Sequence, residues 1–172
     1  MEFRDLKQQY QLHKTEIDNA VQSVLADMNF IQGRQVSQLE ALLVKYVGVK
    51  HCITCANGTD ALQLALMAWN VGKGDAVFVP DFTFFSSGEV VPIVGAIPVF
   101  VDINEDTYNI SPQSLETAIQ YVIQNTDLKP RVVVAVDLFG QPADFEQIRK
   151  IAEKYNLLIL EDAAQGFGGR IG

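Results

Sequence analysis

Apolar residues recur along the first 27 positions at roughly helical spacing: Leu6, Tyr10, Ile17, Val21, Val24 and Leu25. Residues three and four apart share one helical face, so this stripe predicts a helix. A turn at Asn29–Gly33 (NFIQG) follows. Ser37 and Glu40 then form a capping-box pattern ahead of Leu42, Leu43 and Tyr46, which predicts a second helix. Together these segments read as an N-terminal helical arm over residues 1–50. From His51 the pattern changes to short apolar runs at Cys52–Thr54, Ala76–Val79, Ile97–Val101, Val132–Val136 and Leu157–Leu160. Such β-branched runs, lacking polar alternation, predict strands covered on both faces. Helical stretches lie between them at Thr59–Trp69, Ser86–Val94, Ser111–Gln124 and Phe145–Tyr155. Ser111 supplies a cap before Pro112, and Asp144 with Gln147 supplies a second capping pattern. Strand–helix alternation of this kind predicts an α/β fold over residues 51–172, a mostly parallel sheet sandwiched by helices.

Composition narrows the class. The 172 residues are 48% hydrophobic and 20% charged, enough for one sizeable core but not for two full domains. A net charge of -8 argues against nucleic acid or an anionic membrane as the main partner. No stretch approaches the roughly 20 apolar residues of a membrane span. The opening MEFRDLKQQYQ lacks the apolar core of a signal peptide. Cys52 and Cys55 form a Cys-x-x-C, but a zinc site would need two further ligands and only His13 and His51 accompany them. No metal is therefore expected. A redox pair would predict a disulfide here; two small residues packing beside a strand is the favoured reading, which fits a reducing cytoplasm.

In open α/β sheets ligands lie off the carboxyl ends of the strands, so the residues after each apolar run carry the chemistry. After Cys52–Thr54 comes Cys55-Ala56-Asn57-Gly58-Thr59-Asp60, leading straight into a helix. Gly58 is expected to permit a turn that a side chain would crowd. Thr59 and Asp60 place amide groups and one hydroxyl at a helix N-terminus, a site suited to phosphate. The plain alternative is an ordinary helix capped by Asn57 or Thr59. Neither a P-loop nor a G-x-G-x-x-G occurs. After Ala76–Val79 come Phe82, Phe84 and Phe85 beside Ser86 and Ser87. One ring could stack on a flat heterocycle, while at least two of the three are expected in the core. After Leu157–Leu160 come Asp162, two alanines and Gln165. A carboxylate at that point would hold a proton on the pyridine nitrogen of pyridoxal 5'-phosphate (PLP), and Gln165 could bond the ring's phenolic oxygen. A helix cap or a structural ion pair is the alternative for Asp162. A phosphate cradle, a stacking ring and a carboxylate at one sheet edge match three distinct parts of one PLP molecule.

At this point the residues resemble a known family. FRDLKQQY, FIQGRQVSQLE, NGTDALQLAL, VPDFTFFSSGEVV, GAIPVFVDI, VDLFGQPAD and ILEDAAQGFGG together resemble the DegT/DnrJ/EryC1/StrS sugar aminotransferases, over nearly the whole chain. The resemblance implies the large domain of the type I PLP fold, truncated here, with the small C-terminal domain absent from residues 51–172. It implies cofactor phosphate on Gly58, Thr59 and the Asp60 amide, Phe84 on the pyridine ring, Asp162 at its nitrogen and Gln165 at its hydroxyl. It further implies amino transfer, commonly from glutamate, to a nucleotide-linked keto sugar by a homodimer. The loop carrying Phe30 and Gly33 would help form the sugar pocket. FRDLKQQY and TFFSSGEVV are closest to members acting on UDP-linked N-acetylated sugars.

Two departures qualify this. Family members often carry His or Ser where Asp137 stands, which would alter the polar surroundings of the ring. The lysine that holds PLP covalently is expected some two dozen residues beyond Asp162, and the eight lysines (7, 14, 45, 50, 73, 129, 150, 154) all precede it. No catalytic residue is therefore assigned within the chain, which by itself is expected to be inactive. Alternatives are a sugar dehydratase with histidine in place of that lysine, or a non-catalytic dimerisation or binding module. The last strand is expected to leave an unpaired sheet edge.

Overall fold

A computed structural model describes residues 5–171 and resolves two compact units, Met1–Thr54 and Cys55–Gly172. The first contains helices α1 (Leu6–Leu12), α2 (Lys14–Asp27) and α3 (Arg34–Val47). The expected single opening helix thus divides at His13, which closes α1 and caps α2; residues 1–4 of that expectation lie outside the described residues. The expected capping box at Ser37 is overturned. Helix α3 starts a turn earlier, from Gly33, and Glu40 accepts hydrogen bonds from the amide and hydroxyl of Thr54 at 2.9 Å each.

The second unit follows the order α4 (Gly58–Ala68), β1 (Asp75–Pro80), α5 (Phe85–Ile93), β2 (Ile97–Val101), α6 (Pro112–Asn125), β3 (Lys129–Val136), a 3-10 turn (Leu138–Gly140), α7 (Phe145–Tyr155) and β4 (Leu158–Asp162). Its four strands are parallel, in the order β2-β1-β3-β4. Cys52–Thr54 is not a strand. Extended chain becomes a strand only by pairing, and β2 and β4, the sheet's two edges, take no further partner among the described residues. Cys52 and Cys55 are both free thiols.

Alternation along the central strands builds two cores. Ala76, Phe78, Val133 and Ala135 face one side, packed with Leu115 and Ile119 of α6 and Ile148 of α7. Val77, Val79, Val132 and Val134 face the other, packed with Leu62 and Leu66 of α4 and Val90 and Val91 of α5. Strands β1 and β3 are therefore apolar and buried over Ala76–Pro80 and Val132–Val136, whereas edge strands β2 and β4 are only partly covered. Ser111 caps α6 by accepting from the Ser114 amide, and Asp144 caps α7 by accepting from Gln147, both as the sequence predicts.

Candidate functional site

Helix α4 opens at the mouth of the sheet. Asn57 is its cap: the side-chain oxygen accepts from the Asp60 amide at 2.9 Å, and the side-chain nitrogen donates to the Asp60 carboxylate at 3.1 Å. This settles the cap in favour of Asn57 over Thr59. It also leaves the Thr59 hydroxyl for other work, and that hydroxyl lies 2.8 Å from the hydroxyl of Ser86. Gly58 corrects the sequence-based expectation. A Cβ added there would meet nothing within 4 Å, and its φ is not positive. The fold does not require glycine; the missing side chain leaves open room beside amides at a helix N-terminus, as a phosphate cradle needs.

Phe84 precedes α5, and its carbonyl accepts from the Ser87 amide at 3.1 Å. Its ring is 70% exposed and borders a cleft of about 310 Å³ shared with Phe85, Pro92, Pro98 and Phe100. The expectation that at least two of the three phenylalanines belong to the core is overturned, because Phe82, Phe84 and Phe85 are all exposed. The first turn of α5 turns its two serines inward instead.

Asp162 ends β4 and is half-buried. Its Oδ2 accepts from the Ser87 hydroxyl at 2.9 Å, and its Oδ1 accepts from the Ala164 amide at 3.3 Å. Gln165 follows, its side-chain oxygen accepting from the Phe139 amide at 2.6 Å. With the oxygen so engaged, the remaining hydrogen-bonding end of the side chain is a donor, suited to a phenolate oxygen. Phe139 has a φ of 58°, a left-handed conformation that costs energy outside glycine. Two buried side chains hold that turn. Asn109 accepts from the Leu138 amide at 3.2 Å and donates to the carbonyls of Gln141 and Pro142 at 2.9 and 3.2 Å. Asp137, 2% exposed, accepts from the Ala143 amide at 3.1 Å. A Cβ on Gly166 would stand 2.6 Å from that of Asp137, so only glycine lets the two segments close up. Beside them, burial above all, then the negative charge of Asp137 and a hydrogen bond to it, push the Glu161 carboxyl above its ordinary value, with Arg149 pulling the other way.

Thr59, Ser86, Ser87 and Asp162 are thus joined by direct hydrogen bonds and one peptide link, and Phe84 is tied to them through its backbone. Phe30 and Gly33 belong to the other unit: Phe30 is exposed, and Gly33 caps α3 with no room for a Cβ, which would stand 2.8 Å from the Asn29 carbonyl. Ser86, Ser87 and Asn109 were not assigned roles from the sequence, and Asp137 entered there only as a departure from the resembled family. Their only signal there is polarity beside apolar runs, which does not distinguish a tether from a cap.

Comparison with known proteins agrees with the resemblance. Residues 11–172 match the DegT/DnrJ/EryC1/StrS aminotransferase family, and the chain belongs to it. It is 47% identical over 168 residues to the UDP-2-acetamido-2-deoxy-3-oxo-D-glucuronate aminotransferase of Pseudomonas aeruginosa, covering 98% of this chain and 45% of that protein. A DegT/DnrJ/EryC1/StrS aminotransferase from Brucella abortus has a TM-score of 0.94 at 47% identity, covering 96% of this chain and 44% of its own. NtdA from Bacillus subtilis, solved with bound cofactor PMP (pyridoxamine 5'-phosphate), has a TM-score of 0.83 at 33% identity, over 91% of this chain and 34% of its own. The α/β fold of the PLP aminotransferases is therefore shown, and the chain spans less than half the length of these relatives.

Proposed function

We propose that this chain forms the cofactor-holding part of a PLP-dependent aminotransferase that aminates a nucleotide-linked keto sugar, with glutamate as donor and a homodimer as the working form. The observation that carries the reading is the hydrogen-bonded path from Thr59 through Ser86 and Ser87 to Asp162. It couples an anion-binding helix end to a carboxylate, the two polar extremes of one phosphorylated pyridine.

In this reading the amides of Gly58 and Thr59 bind the phosphate, aided by the positive end of the α4 dipole, while the Asp60 amide, expected to join them, is taken by the Asn57 cap at 2.9 Å. Phe84 covers one face of the ring and excludes water from it. Asp162 keeps a proton on the ring nitrogen, and Gln165 donates to the phenolic oxygen. When bound, PLP supplies the electron sink for the carbon that loses or gains the amino group. Phe30 and Gly33 contribute to the sugar pocket. None of the chain's lysines stands where the family's covalent lysine does, so residues 1–172 alone are proposed to bind without transaminating.

Titration calorimetry with PMP, which needs no covalent lysine, tests the cofactor half. Saturable binding, competed by inorganic phosphate and weakened at least about tenfold by Asp162→Asn, is expected. Absence of binding, or binding indifferent to Asp162, would overturn it. For the sugar half, the polypeptide extended to its relatives' length should release 2-oxoglutarate from glutamate in step with sugar amination. Loss of water from the sugar without glutamate consumption would replace this reading with the dehydratase.

A further inference from the structure

We infer that Ser86 and Ser87 are positioning residues that set the span and orientation between the phosphate cradle and the ring-pairing carboxylate. The inference rests on the cofactor reading above and extends it to two residues that touch neither the phosphate nor the ring.

Both serines sit in the first turn of α5, where a hydroxyl ordinarily serves its own helix. Here they are buried, Ser87 completely and Ser86 to within 8%. A buried hydroxyl without a partner is costly, so each must bond something. Neighbouring helical positions point about 100° apart, so adjacent serines reach different elements. Ser86 goes to the Thr59 hydroxyl on α4 at 2.8 Å, and Ser87 donates to Asp162 Oδ2 on β4 at 2.9 Å. Thr83 lies 3.3 Å from the Ser87 oxygen. Because a carboxylate only accepts, Ser87 spends its proton on Asp162 and is left to accept from Thr83.

The consequence is geometric. One peptide unit, about 3.8 Å between Cα atoms, separates the residue that orients Thr59 from the residue that orients Asp162. The span from the Thr59 end of α4 to the Asp162 carboxylate is then set by a helical turn rather than by two independent loops. Orientation is set as well. With Oδ2 held by Ser87 and Oδ1 by the Ala164 amide, the plane of the Asp162 carboxylate has no free rotation. Removing the Ser87 hydroxyl frees one oxygen and lets that plane turn away from the ring nitrogen.

The test compares two probes on the 172-residue chain and its variants by calorimetry. Inorganic phosphate reads the cradle alone, and PMP reads cradle and carboxylate together. Ser87→Ala should weaken PMP about tenfold, the loss of one charge-assisted hydrogen bond, and leave phosphate unchanged. Ser87→Thr, which keeps the hydroxyl, should restore PMP affinity. Ser86→Ala should weaken both probes by the same factor. Equal weakening of both probes by Ser87→Ala, or no weakening of either, would overturn the inference. A second readout needs no ligand: in the free chain, Ser87→Ala should shift the Ala164 amide resonance and Ser87→Thr should not. If the unaltered chain binds no PMP, the cofactor reading falls, while an Ala164 amide unmoved by Ser87→Ala would separately overturn the Ser87 role. Should Ser87→Ala fail to fold, Ser87→Cys, of similar size but a weak donor, takes its place.

Discussion

Helices α3 and α6 are both 14 residues long and both carry an apolar stripe, yet α3 buries none of its residues and α6 buries Leu115, Ile119 and Val122. The same contrast runs through the two units. In α1, α2 and α3 no residue is buried, and Leu6, Leu12, Val21 and Leu42 are more than half exposed. In the Cys55–Gly172 unit the sheet gives the helices a surface to close on, and the central strands are buried over Ala76–Pro80 and Val132–Val136. Periodicity alone therefore makes a helix; stability comes from the second surface.

The sharpest way to break that contrast is to remove apolar volume from each unit in turn. Phe78, fully buried on β1, should cost about 3–5 kcal/mol when changed to alanine, through lost burial and a cavity. Leu42→Ala on α3, at 66% exposure, should stay within about 0.5 kcal/mol. Urea denaturation of both variants measures this, and equal losses would mean that the two units are stabilised alike.

A smaller effect is expected where the core meets the site. Asn109, 3% exposed, satisfies one amide and two carbonyls of the 138–142 segment. Asn109→Ala strands those groups and should cost about 1–3 kcal/mol. Because the Phe139 amide then loses its fixed position against Gln165, PMP affinity should fall along with stability. A variant that loses stability but keeps PMP affinity would detach the clamp from the site.

The same comparison explains what could be read from the sequence. Helices and the central strands were legible because their signals are local: the α6 and α7 caps, and the uninterrupted runs at Ala76–Val79 and Val132–Val136. Cys52–Thr54 has the composition of a strand but pairs with no strand among the described residues, and pairing is a property of the whole sheet. Glu40 looked like half of a capping box, yet its bond is to Thr54, fourteen positions on. At the site, Gly58 and Thr59 could be proposed from residue type at the start of a helix, and Asp162 and Gln165 from residue type at a strand end. Ser86 and Ser87 could not, because their meaning lies in bonds to α4 and β4 that only the folded chain creates. The three phenylalanines misled for the same reason, their exposure being decided by the course of the 82–85 segment into α5.

Acidity separates the units further. Burial and Asp137 raise the Glu161 carboxyl above its ordinary value of 4.5, against the pull of Arg149. From 4.5 up to the raised value the folded chain holds more protons than the unfolded one, so this group's contribution to stability falls as pH rises through that window. Glu161→Gln should remove the decline and leave stability below pH 4 little changed. Denaturation midpoints between pH 4 and 7 measure it, and an unaltered slope in the variant would place the pH dependence elsewhere.

The smallest effect belongs to the Met1–Thr54 unit. There the amide and hydroxyl of Thr54 hold the Glu40 carboxyl below its ordinary value, the amide bond being the larger cause. The sign is opposite to that of Glu161. The hold is present above the ordinary carboxylate value and is lost as pH falls through the depressed one. Since Glu40 is on an exposed helix, the loss should be local: Glu40→Ala should speed hydrogen exchange at the Thr54 amide while the melting temperature stays where it was. Glu40→Gln, which keeps an acceptor but not the charge, should slow exchange partway back. If Thr54 exchanges at one rate in all three proteins, Glu40 does not hold the Cys52–Thr54 segment, and its ordering needs another cause. If the melting temperature drops instead, α3 and the segment after it are coupled to the stability of the whole chain, and the contrast between the two units fails at that point.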